Sequence, residues 1–373
     1  MAPDDRSATD RVVLPDFPWD RLIPFRAQAA RHADGLCDLS VGTPVDPVPA
    51  PIQEALAAAS NAPGYPTTHG TPELRTSIVG WLARQLGIPG VDPTAVLPAI
   101  GTKELIAALP GLLGVGAGQT VVIPETAYPT YEVGALLARA RPVRADSLTQ
   151  LGPSTPAMLW LNSPSNPTGK VLGVEHLRKV VEWARARNVL VASDECYIEL
   201  GWTDDRPVSI LHPDVCGGSH EGLLAIHSLS KRSNLAGYRF GFVTGDESII
   251  ESLLEIRKHS GFMVPTPVQA AASVAYGDDT HVVAQRAIYR KRRTQLLAAL
   301  SEAGFRVDFS DAGLYLWATR SEPCMQTVEW LANRGILAAP GDFYGPAGRQ
   351  HVRIALTASD ERVHTAAQRL LAD

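Results

Sequence analysis

Short apolar runs alternate with longer stretches of helical periodicity through the middle of this chain. The apolar runs, most of them continuous and rich in β-branched residues, fall at 120–124, 157–164, 189–195, 223–228 and 239–245. Continuous runs of this kind predict strands that are buried on both faces of a sheet. The helices predicted between them, from apolar residues at helical spacing, lie at 103–113, 129–140 and 173–188.

The alternation of strand and helix predicts an α/β fold with a mostly parallel sheet covered by helices on both faces. In such sheets, ligands bind at the carboxyl ends of the strands. The run 239–245 begins only about ten residues after the run 223–228 ends. Because that connection is short for a helical crossover, we expect these two strands to pair antiparallel.

The pattern changes near residue 265, and 373 residues exceed what one ordinary core organises. A long helical region and several short apolar runs separated by turns predict a smaller α+β domain there. The proline-rich, irregular start of the chain is expected to pack with it, after about ten disordered residues. The predicted organisation is an N-terminal segment 1–48, a large domain 49–264 and a small C-terminal domain 265–373.

Composition narrows the functional classes. A hydrophobic content of 45% with 20% charged residues is typical of a soluble globular protein. The net charge of −5 provides no overall field that attracts nucleic acid. No apolar run approaches a membrane span, and the N-terminus lacks the apolar segment of a signal peptide. Four cysteines without metal-ligand spacing predict reduced thiols in a cytoplasmic protein and no metal site.

Polar side chains follow several predicted strands at the point where each strand ends. Asp194 comes directly after one apolar run, NSPSNPTG (162–169) after another and SLSK (228–231) after a third. The stretch IGTKE (100–104) opens a helix, whose N-terminal amides are suited to bind an anion. Because βα loops share one edge of a parallel sheet, these stretches are predicted to converge there.

One small molecule could use these groups together. A phosphate would contact the helix start, the hydroxyls of Ser228 and Ser230, and the guanidinium of Arg239. An aldehyde would react with Lys231, and a protonated ring nitrogen would pair with Asp194. A phenolate oxygen would contact Asn166 and Tyr197, and an aromatic ring would stack on Tyr128. Pyridoxal 5′-phosphate (PLP) carries all of these groups.

The chain resembles the fold-type I PLP-dependent aminotransferases, in the branch related to aspartate aminotransferase. The resemblance covers nearly the whole chain and rests on motifs in the family's order, namely VGTPVDPVP, YPTTHG, GTKE, YPTY, NSPSNPTG, SDECY, SLSK with an arginine eight residues later, and HVRIAL. It implies a three-layer α/β/α large domain with a mostly parallel seven-stranded sheet, plus the smaller α+β domain. It also implies a homodimer with shared active sites, acting on amino acids and keto acids such as glutamate and 2-oxoglutarate.

The resemblance further implies a role for each matching residue. Lys231 would bind the cofactor covalently and move the substrate proton, Asp194 would hold the protonated ring nitrogen, and Tyr197 would contact O3′. Arg353 would bind the substrate α-carboxylate. The residues assisting Arg353 would be Gly42 and Asn166, with Asn166 also contacting O3′. The other cofactor contacts would be Tyr128 on the ring, Gly101, Thr102, Lys103, Ser228, Ser230 and Arg239 around the phosphate, and Tyr65 reaching the neighbouring subunit's phosphate.

Longer stretches, including 161–177 and 211–239, resemble the actinobacterial N-succinyldiaminopimelate aminotransferases. This implies glutamate as donor and N-succinyl-2-amino-6-oxopimelate as acceptor, in lysine and diaminopimelate biosynthesis. Within the same fold, the alternatives are an aminotransferase for aspartate, aromatic or kynurenine-type substrates, and a PLP-dependent C–S lyase.

A different chemistry also fits one motif. Ser228 and Lys231 match the S-x-x-K of serine acyl-transferases and β-lactamases, with the serine as nucleophile and the lysine as its base. That interpretation needs K-T-G and S-D-N partners, but the chain has no KTG, and its SDE precedes the lysine. It would also leave Asn166, Asp194 and Arg239 without a role.

Overall fold

The structure is a computed structural model that describes residues 12–204 and 206–372. The disorder expected for the first ten or so residues concerns positions outside these ranges. The strands are β1 (Cys37–Asp38), β2 (Val96–Ala99), β3 (Thr120–Ile123), β4 (Arg141–Arg144), β5 (Met158–Asn162), β6 (Leu190–Asp194), β7 (Leu223–Ser228), β8 (Gly241–Gly245), β9 (Arg306–Asp308), β10 (Tyr315–Thr319), β11 (Ile336–Leu337), β12 (Ala339–Pro340) and β13 (Val352–Ala355).

α-Helices make up a large part of the remaining described chain. They are α1 (Ile23–Ala29), α2 (Ala50–Ala58), α3 (Pro72–Leu86), α4 (Thr102–Leu112), α5 (Thr130–Leu137), α6 (Val174–Arg185), α7 (Pro213–Cys216), α8 (Leu229–Arg232), α9 (Glu247–Ser260), α10 (Thr266–Gly277), α11 (Thr280–Glu302), α12 (Cys324–Asn333) and α13 (Asp360–Leu371). Among these helices, none is both long enough and apolar enough to cross a membrane. The four cysteines are free thiols, and the cytoplasmic location stays a prediction.

The largest sheet has seven strands in the order β2-β8-β7-β6-β5-β3-β4. Pairing is parallel from β7 through β6, β5 and β3 to β4, whereas β8 is antiparallel to both of its neighbours, β7 and β2. The antiparallel pairing expected for the run 239–245 is therefore confirmed. The mostly parallel seven-stranded sheet is confirmed as well.

The two outermost strands are the ones that the apolar pattern does not predict. β2 contains Pro98 and β4 contains Pro142, and each lies at one edge of the sheet. Proline removes a backbone donor, which an edge strand tolerates because one side of its ladder is unpaired. β4 is also incompletely buried, so its sequence lacks the continuous apolar signature of the inner strands.

Both faces of this sheet are covered. Along β7, Leu223 and Ala225 belong to one apolar cluster while Leu224 and Ile226 belong to another. Because successive side chains of a strand point to opposite faces, the two clusters lie on opposite sides of the sheet. The result is the predicted helix–sheet–helix arrangement of three layers.

A second sheet lies in the C-terminal part of the chain. Its four strands are antiparallel in the order β12-β13-β10-β9, and β11 pairs in parallel with β1 from the N-terminal segment. A third apolar cluster holds residues of both segments, among them Cys37, Leu39 and Trp317. The buried residues of α10 pack instead with the large sheet's cluster. The domain limits at residues 48 and 264 stay predictions.

Candidate active site

A cavity of about 910 Å³ opens at the carboxyl ends of the central strands. Its wall includes loops of the large sheet, side chains of the small sheet and the N-terminal stretch 14–19. Twelve of the fourteen predicted site residues line it, namely Gly42, Thr102, Lys103, Tyr128, Asn166, Asp194, Tyr197, Ser228, Ser230, Lys231, Arg239 and Arg353. The structure therefore brings these residues together.

The other two predicted residues are Gly101 and Tyr65. Gly101 precedes α4 with φ +74°, and a Cβ there would lie 2.2 Å from Nη2 of Arg239. Only glycine therefore leaves room for this guanidinium beside the start of the helix. The side chain of Tyr65 is 96% exposed and is not part of this cavity wall.

Groups that bind anions gather at one side of the cavity. Gly101 directly precedes α4 and lies beside the guanidinium of Arg239. The free amides of the first turn of α4 are therefore at this same side of the cavity. Ser228 ends β7, and its Oγ accepts a hydrogen bond of 3.1 Å from the amide of Ser230. Arg239 has the left-handed φ of +59°, and its Nη1 donates to the carbonyl of Ala236 at 2.8 Å. This donor set fits a phosphate group.

Lys231 lies on α8, the single helical turn that directly follows β7. Its Nζ donates a hydrogen bond to the carbonyl of Gly42, which belongs to the N-terminal part of the chain. Burial is the main cause that lowers the pKa of Lys231 below its ordinary value. A lysine whose neutral form is favoured in this way is suited to act as a nucleophile and as a base.

Asp194, the last residue of β6, is buried beside this lysine-bearing turn. Its Oδ2 accepts a hydrogen bond of 2.7 Å from the hydroxyl of Tyr131, and its Oδ1 accepts one of 3.2 Å from the amide of Cys196. Burial raises the pKa of Asp194, against the opposing effect of these hydrogen bonds. A buried carboxylate that also lines a cavity is suited to pair with a cationic N–H of a ligand.

The loop after β5 is attached to the end of β6 by one side chain that sequence reasoning missed. Asn162 donates to the carbonyl of Asp194 at 2.9 Å and accepts from the amide of Asn166 at 2.7 Å. These bonds fix Asn166 at the cavity wall. The signal available in the sequence was an asparagine directly after the apolar run MLWL, where a core residue needs no amide.

Arg353 brings the small sheet into the site. It is 3% exposed, and its Nη1 donates to Oδ1 of Asn166 at 2.9 Å while its Nη2 donates to the carbonyl of Ser40 at 2.7 Å. Its Nε has no hydrogen-bond partner, and no carboxylate of the described residues forms an ion pair with it. A buried guanidinium without a counter-ion is costly, so the site is prepared for an anionic ligand.

Tyr315 is a further side chain that sequence reasoning missed, and it lines the same cavity. Its hydroxyl is hydrogen-bonded to the hydroxyl of Tyr197 at 3.2 Å. Its ring lies under the guanidinium of Arg353, with 3.9 Å between Cζ and the ring centroid. A tyrosine in a strand is ordinary core material, so its sequence context carried no signal.

Comparison with known proteins agrees with this geometry. The profile of the family described as aminotransferase class I and II matches residues 34–370. The chain belongs to that family. Members of this aminotransferase family depend on PLP, so the protein is a PLP-dependent aminotransferase, and the fold-type I architecture is confirmed. The serine acyl-transferase interpretation of Ser228 and Lys231 is therefore wrong.

Individual relatives differ in their described substrates. The aminotransferase is 67% identical over 357 residues to the probable aminotransferase Rv1178 of Mycobacterium tuberculosis, covering 96% of this chain and 85% of that protein. It is 58% identical over 357 residues to the 4-dedimethylamino-4-oxo-anhydrotetracycline transaminase OxyQ of Streptomyces rimosus, covering 96% and 99%. A solved structure described as a probable N-succinyldiaminopimelate aminotransferase from Thermus thermophilus superposes with a TM-score of 0.85 at 28% identity, covering 95% and 99%.

Proposed function

We propose that this aminotransferase exchanges an amino group between N-succinyl-LL-2,6-diaminopimelate and 2-oxoglutarate, forming N-succinyl-2-amino-6-oxopimelate and glutamate. In the cell the reaction would run in reverse, towards diaminopimelate and lysine. The resemblance of long sequence stretches and the description of the Thermus thermophilus relative support this choice. Both amino acids carry an α-carboxylate and at least one further carboxylate, so a suitable site needs more than one cation.

The cations of the cavity wall carry the proposal. Among the described residues that line the cavity, they are Lys103, Lys231, Arg239 and Arg353. In this proposal Lys231 serves the reacting group, Arg239 the phosphate and Arg353 the α-carboxylate. The ammonium of Lys103 lies 5.7 Å from the ring centroid of Phe17, in the wall formed by the N-terminal stretch. We assign it to a distal carboxylate, while the backbone amide of Lys103 still belongs to the phosphate-binding helix start.

The residues of the cavity divide the chemical work between them. PLP, when bound, supplies a ring that stabilises the negative charge left at the substrate Cα. The neutral amine of Lys231 takes the proton from that Cα. The carboxylate of Asp194 keeps a proton on the ring nitrogen, while Tyr197 and Asn166 donate hydrogen bonds to O3′.

Binding groups then hold both molecules in place. Arg353 binds the α-carboxylate, and the backbone of Gly42 and the amide of Asn166 complete that contact. The phosphate is bound by the start of α4 with its serine and arginine neighbours, and Tyr128 packs against the cofactor ring. These contacts orient the Cα–H bond of the substrate towards the amine of Lys231. Holding the two reacting groups in this geometry accelerates the proton transfer.

We also propose a homodimer in which Tyr65 completes the neighbouring subunit's phosphate site. The exposure of this aromatic side chain supports the proposal, because a tyrosine that serves a partner's site has no need of contacts within its own chain. Its position outside this chain's cavity wall agrees with such a role.

A screen of amino donors and keto-acid acceptors tests the substrate assignment. With glutamate as donor and the succinylated oxo-acid as acceptor, the unaltered protein should turn over. Lys231→Ala should stay folded but lose turnover together with the visible absorption that arises from the bond between Lys231 and the cofactor. Lys291→Ala, which changes an exposed lysine outside the cavity, is the matched control. Failure with glutamate across all acceptors would sink the proposal, and release of ammonia and pyruvate without an acceptor would indicate a C–S lyase.

A second candidate substrate is a polycyclic ring ketone like the one in the OxyQ name. The size of the cavity and the aromatic side chains of Phe17, Trp19 and Tyr128 in its wall favour a large planar acceptor. The same screen should include a 4-oxo-anhydrotetracycline. Lys103→Met separates the two candidates when the acceptor half-reaction is measured alone, starting from the aminated holoenzyme, because it should then slow only the reaction of an acceptor with a distal carboxylate.

A further inference from the structure

Tyr315 contacts several parts of the site at once. Besides the hydroxyl of Tyr197 and the guanidinium of Arg353, it lies against Gly42, where a Cβ would come within 2.1 Å of its hydroxyl oxygen. Gly42 also provides the carbonyl that accepts from Lys231. One buried phenol, 4% exposed, therefore lies between the lysine, the carboxylate-binding arginine and the tyrosine assigned to O3′.

Strand register explains why the ring and the guanidinium meet. In the pairing of β10 with β13, Trp317 is opposite Arg353 and Tyr315 is opposite Ala355. Cross-strand partners share a face, and residues two apart in a strand share it too. Tyr315 and Arg353 are therefore diagonal neighbours on one face, at a distance that an aromatic ring spans.

The pKa values of Tyr315 and Tyr197 are shifted in opposite directions. Burial raises the pKa of Tyr315, but the positive charges of Arg353 and Lys231 and the hydrogen bond with Tyr197 together outweigh burial and leave that pKa below its ordinary value. Burial raises the pKa of Tyr197 well above its ordinary value. Either hydroxyl can be the donor of the hydrogen bond that joins the two tyrosines, and when Tyr315 donates, the proton of Tyr197 is free for another acceptor in the cavity.

We propose that Tyr315 is a positioning residue that connects the α-carboxylate site to the O3′ side of the cofactor: its ring supports Arg353 and its hydroxyl orients the hydrogen bond of Tyr197. This inference rests on the roles proposed above for Arg353 and Tyr197. The two contacts belong to different parts of one side chain, so two substitutions separate them. Tyr315→Phe keeps the ring and removes the hydroxyl, and Tyr315→Leu removes both.

Two measurements on the holoenzyme read the two contacts without turnover. Calorimetry with maleate, an unreactive dicarboxylate, reports on Arg353, and a pH titration of the cofactor's visible absorption reports on O3′. Tyr315→Phe should bind maleate within about twofold of the unaltered protein, because the cation–π contact remains. Its titration midpoint should move upward by roughly 0.5 to 1 pH unit, since a hydrogen bond to O3′ is weakened.

Tyr315→Leu should show the same midpoint shift and, in addition, roughly tenfold weaker maleate binding. The matched control is Tyr276→Phe, which removes a buried hydroxyl that has no hydrogen-bond partner and that lies outside the cavity wall, so it should leave both readouts unchanged. The inference is overturned if Tyr315→Phe keeps the unaltered midpoint, or if Tyr315→Leu binds maleate as tightly as Tyr315→Phe does.

Failure of the underlying assignment looks different. If Arg353→Lys binds maleate as tightly as the unaltered protein, the role of Arg353 is wrong, and the inference about Tyr315 falls with it. Neither readout depends on which acceptor the enzyme uses, so a negative result in the substrate screen leaves this test intact.

Discussion

Arg353 has the strongest electrostatic need for a ligand in this site. Its guanidinium is surrounded by tyrosine rings and neutral oxygens, and no carboxylate of the described chain neutralises it. A planar guanidinium can bind a carboxylate through two parallel hydrogen bonds, which an ammonium cannot reproduce. The proposed carboxylate recognition therefore depends on the arginine itself and not on positive charge alone.

Arg353→Lys should raise the KM for glutamate by roughly 10- to 100-fold, because one charge-assisted hydrogen bond is lost and the other is distorted. The KM for every other carboxylate substrate should rise in parallel. Arg349→Lys is the matched control, since Arg349 is exposed and lies shortly before the same strand. An unchanged KM in Arg353→Lys would contradict the assignment.

At this scale, the sequence revealed the charged residues of the site but hid some of its aromatic and amide residues, namely Tyr131, Tyr315 and Asn162. Asp194, Lys231 and Arg353 stood out because a charge beside or within an apolar run is costly unless it has a purpose. Tyr131 and Tyr315 gave no such signal, because tyrosine is common in cores and strands. Their contacts depend on tertiary placement, which no local pattern encodes.

Among the secondary-structure elements, the ends of β6 and β7 carry a buried acid–base pair that faces away from the cavity. Nε2 of His227 lies 3.6 Å from Oε2 of Glu195, and both side chains are almost fully buried. The ring of His227 packs against Trp81, on the face opposite the Tyr131 that binds Asp194. Burial raises the pKa of Glu195 to about 7 and lowers that of His227 to about 3, so near pH 6 both groups are neutral.

Glu195→Gln should remove a pH-dependent part of the folding stability. The folded-state pKa of Glu195 is raised from 4.5 to about 7, so its contribution is fully present below pH 4.5 and is lost as the pH rises towards 7. The unfolding free energy of the unaltered protein minus that of Glu195→Gln should fall by roughly 3 kcal/mol across that interval.

Denaturant unfolding of the holoenzyme at a series of pH values measures this difference. The opposite trend from His227, whose contribution is lost as the pH falls from 6.5 to about 3, is present in both proteins. The amide side chain of the Glu195→Gln variant retains an oxygen that can accept from the amide of Ile210. A difference that stays constant between pH 4.5 and 7 would count against a raised pKa.

The inner strands were predictable because burial on both faces imposes a continuous apolar sequence. The edge strands β2 and β4 were not, since each contains a proline and β4 is in addition partly exposed. The short helical turn after β7 was likewise invisible to periodicity: four residues are too few to show it.

For the whole molecule, the proposed exchange of Tyr65 between subunits leads to a complementation experiment. Tyr65→Ala and Lys231→Ala should each be nearly inactive as pure dimers. A mixed dimer would contain one site with both defects and one with neither. Mixing the two after reversible dissociation should therefore restore measurable turnover.

Two controls make this result interpretable. Tyr238→Ala changes a partly exposed tyrosine that is not assigned to the site. Mixing it with Lys231→Ala should bring no gain in turnover. If the mixture of Tyr65→Ala and Lys231→Ala stays inactive although sedimentation shows mixed dimers, Tyr65 acts in its own subunit or not at all.

The overall architecture was predictable from the sequence because the order of elements limits the topologies of an α/β chain. The convergence of the strand-end loops was predictable as well, whereas the contacts through which the N-terminal stretch and the small sheet close the cavity were not predictable from local pattern. The N-terminal stretch, the strand ends of the large sheet and the face of the small sheet meet only after folding, and their contacts have large sequence separations.

The N-terminal stretch 14–19 forms part of the cavity wall although it precedes every strand of the fold. Because this stretch contains no residue of a strand or of α8, we expect mutations there to change what the cavity admits without altering a strand register or the turn that bears Lys231. Substitution of a few residues in the stretch 14–19 is therefore a route by which evolution can change the acceptors of this enzyme. Laboratory libraries confined to that stretch should likewise yield folded variants with new preferences more often than libraries in the strand-end loops.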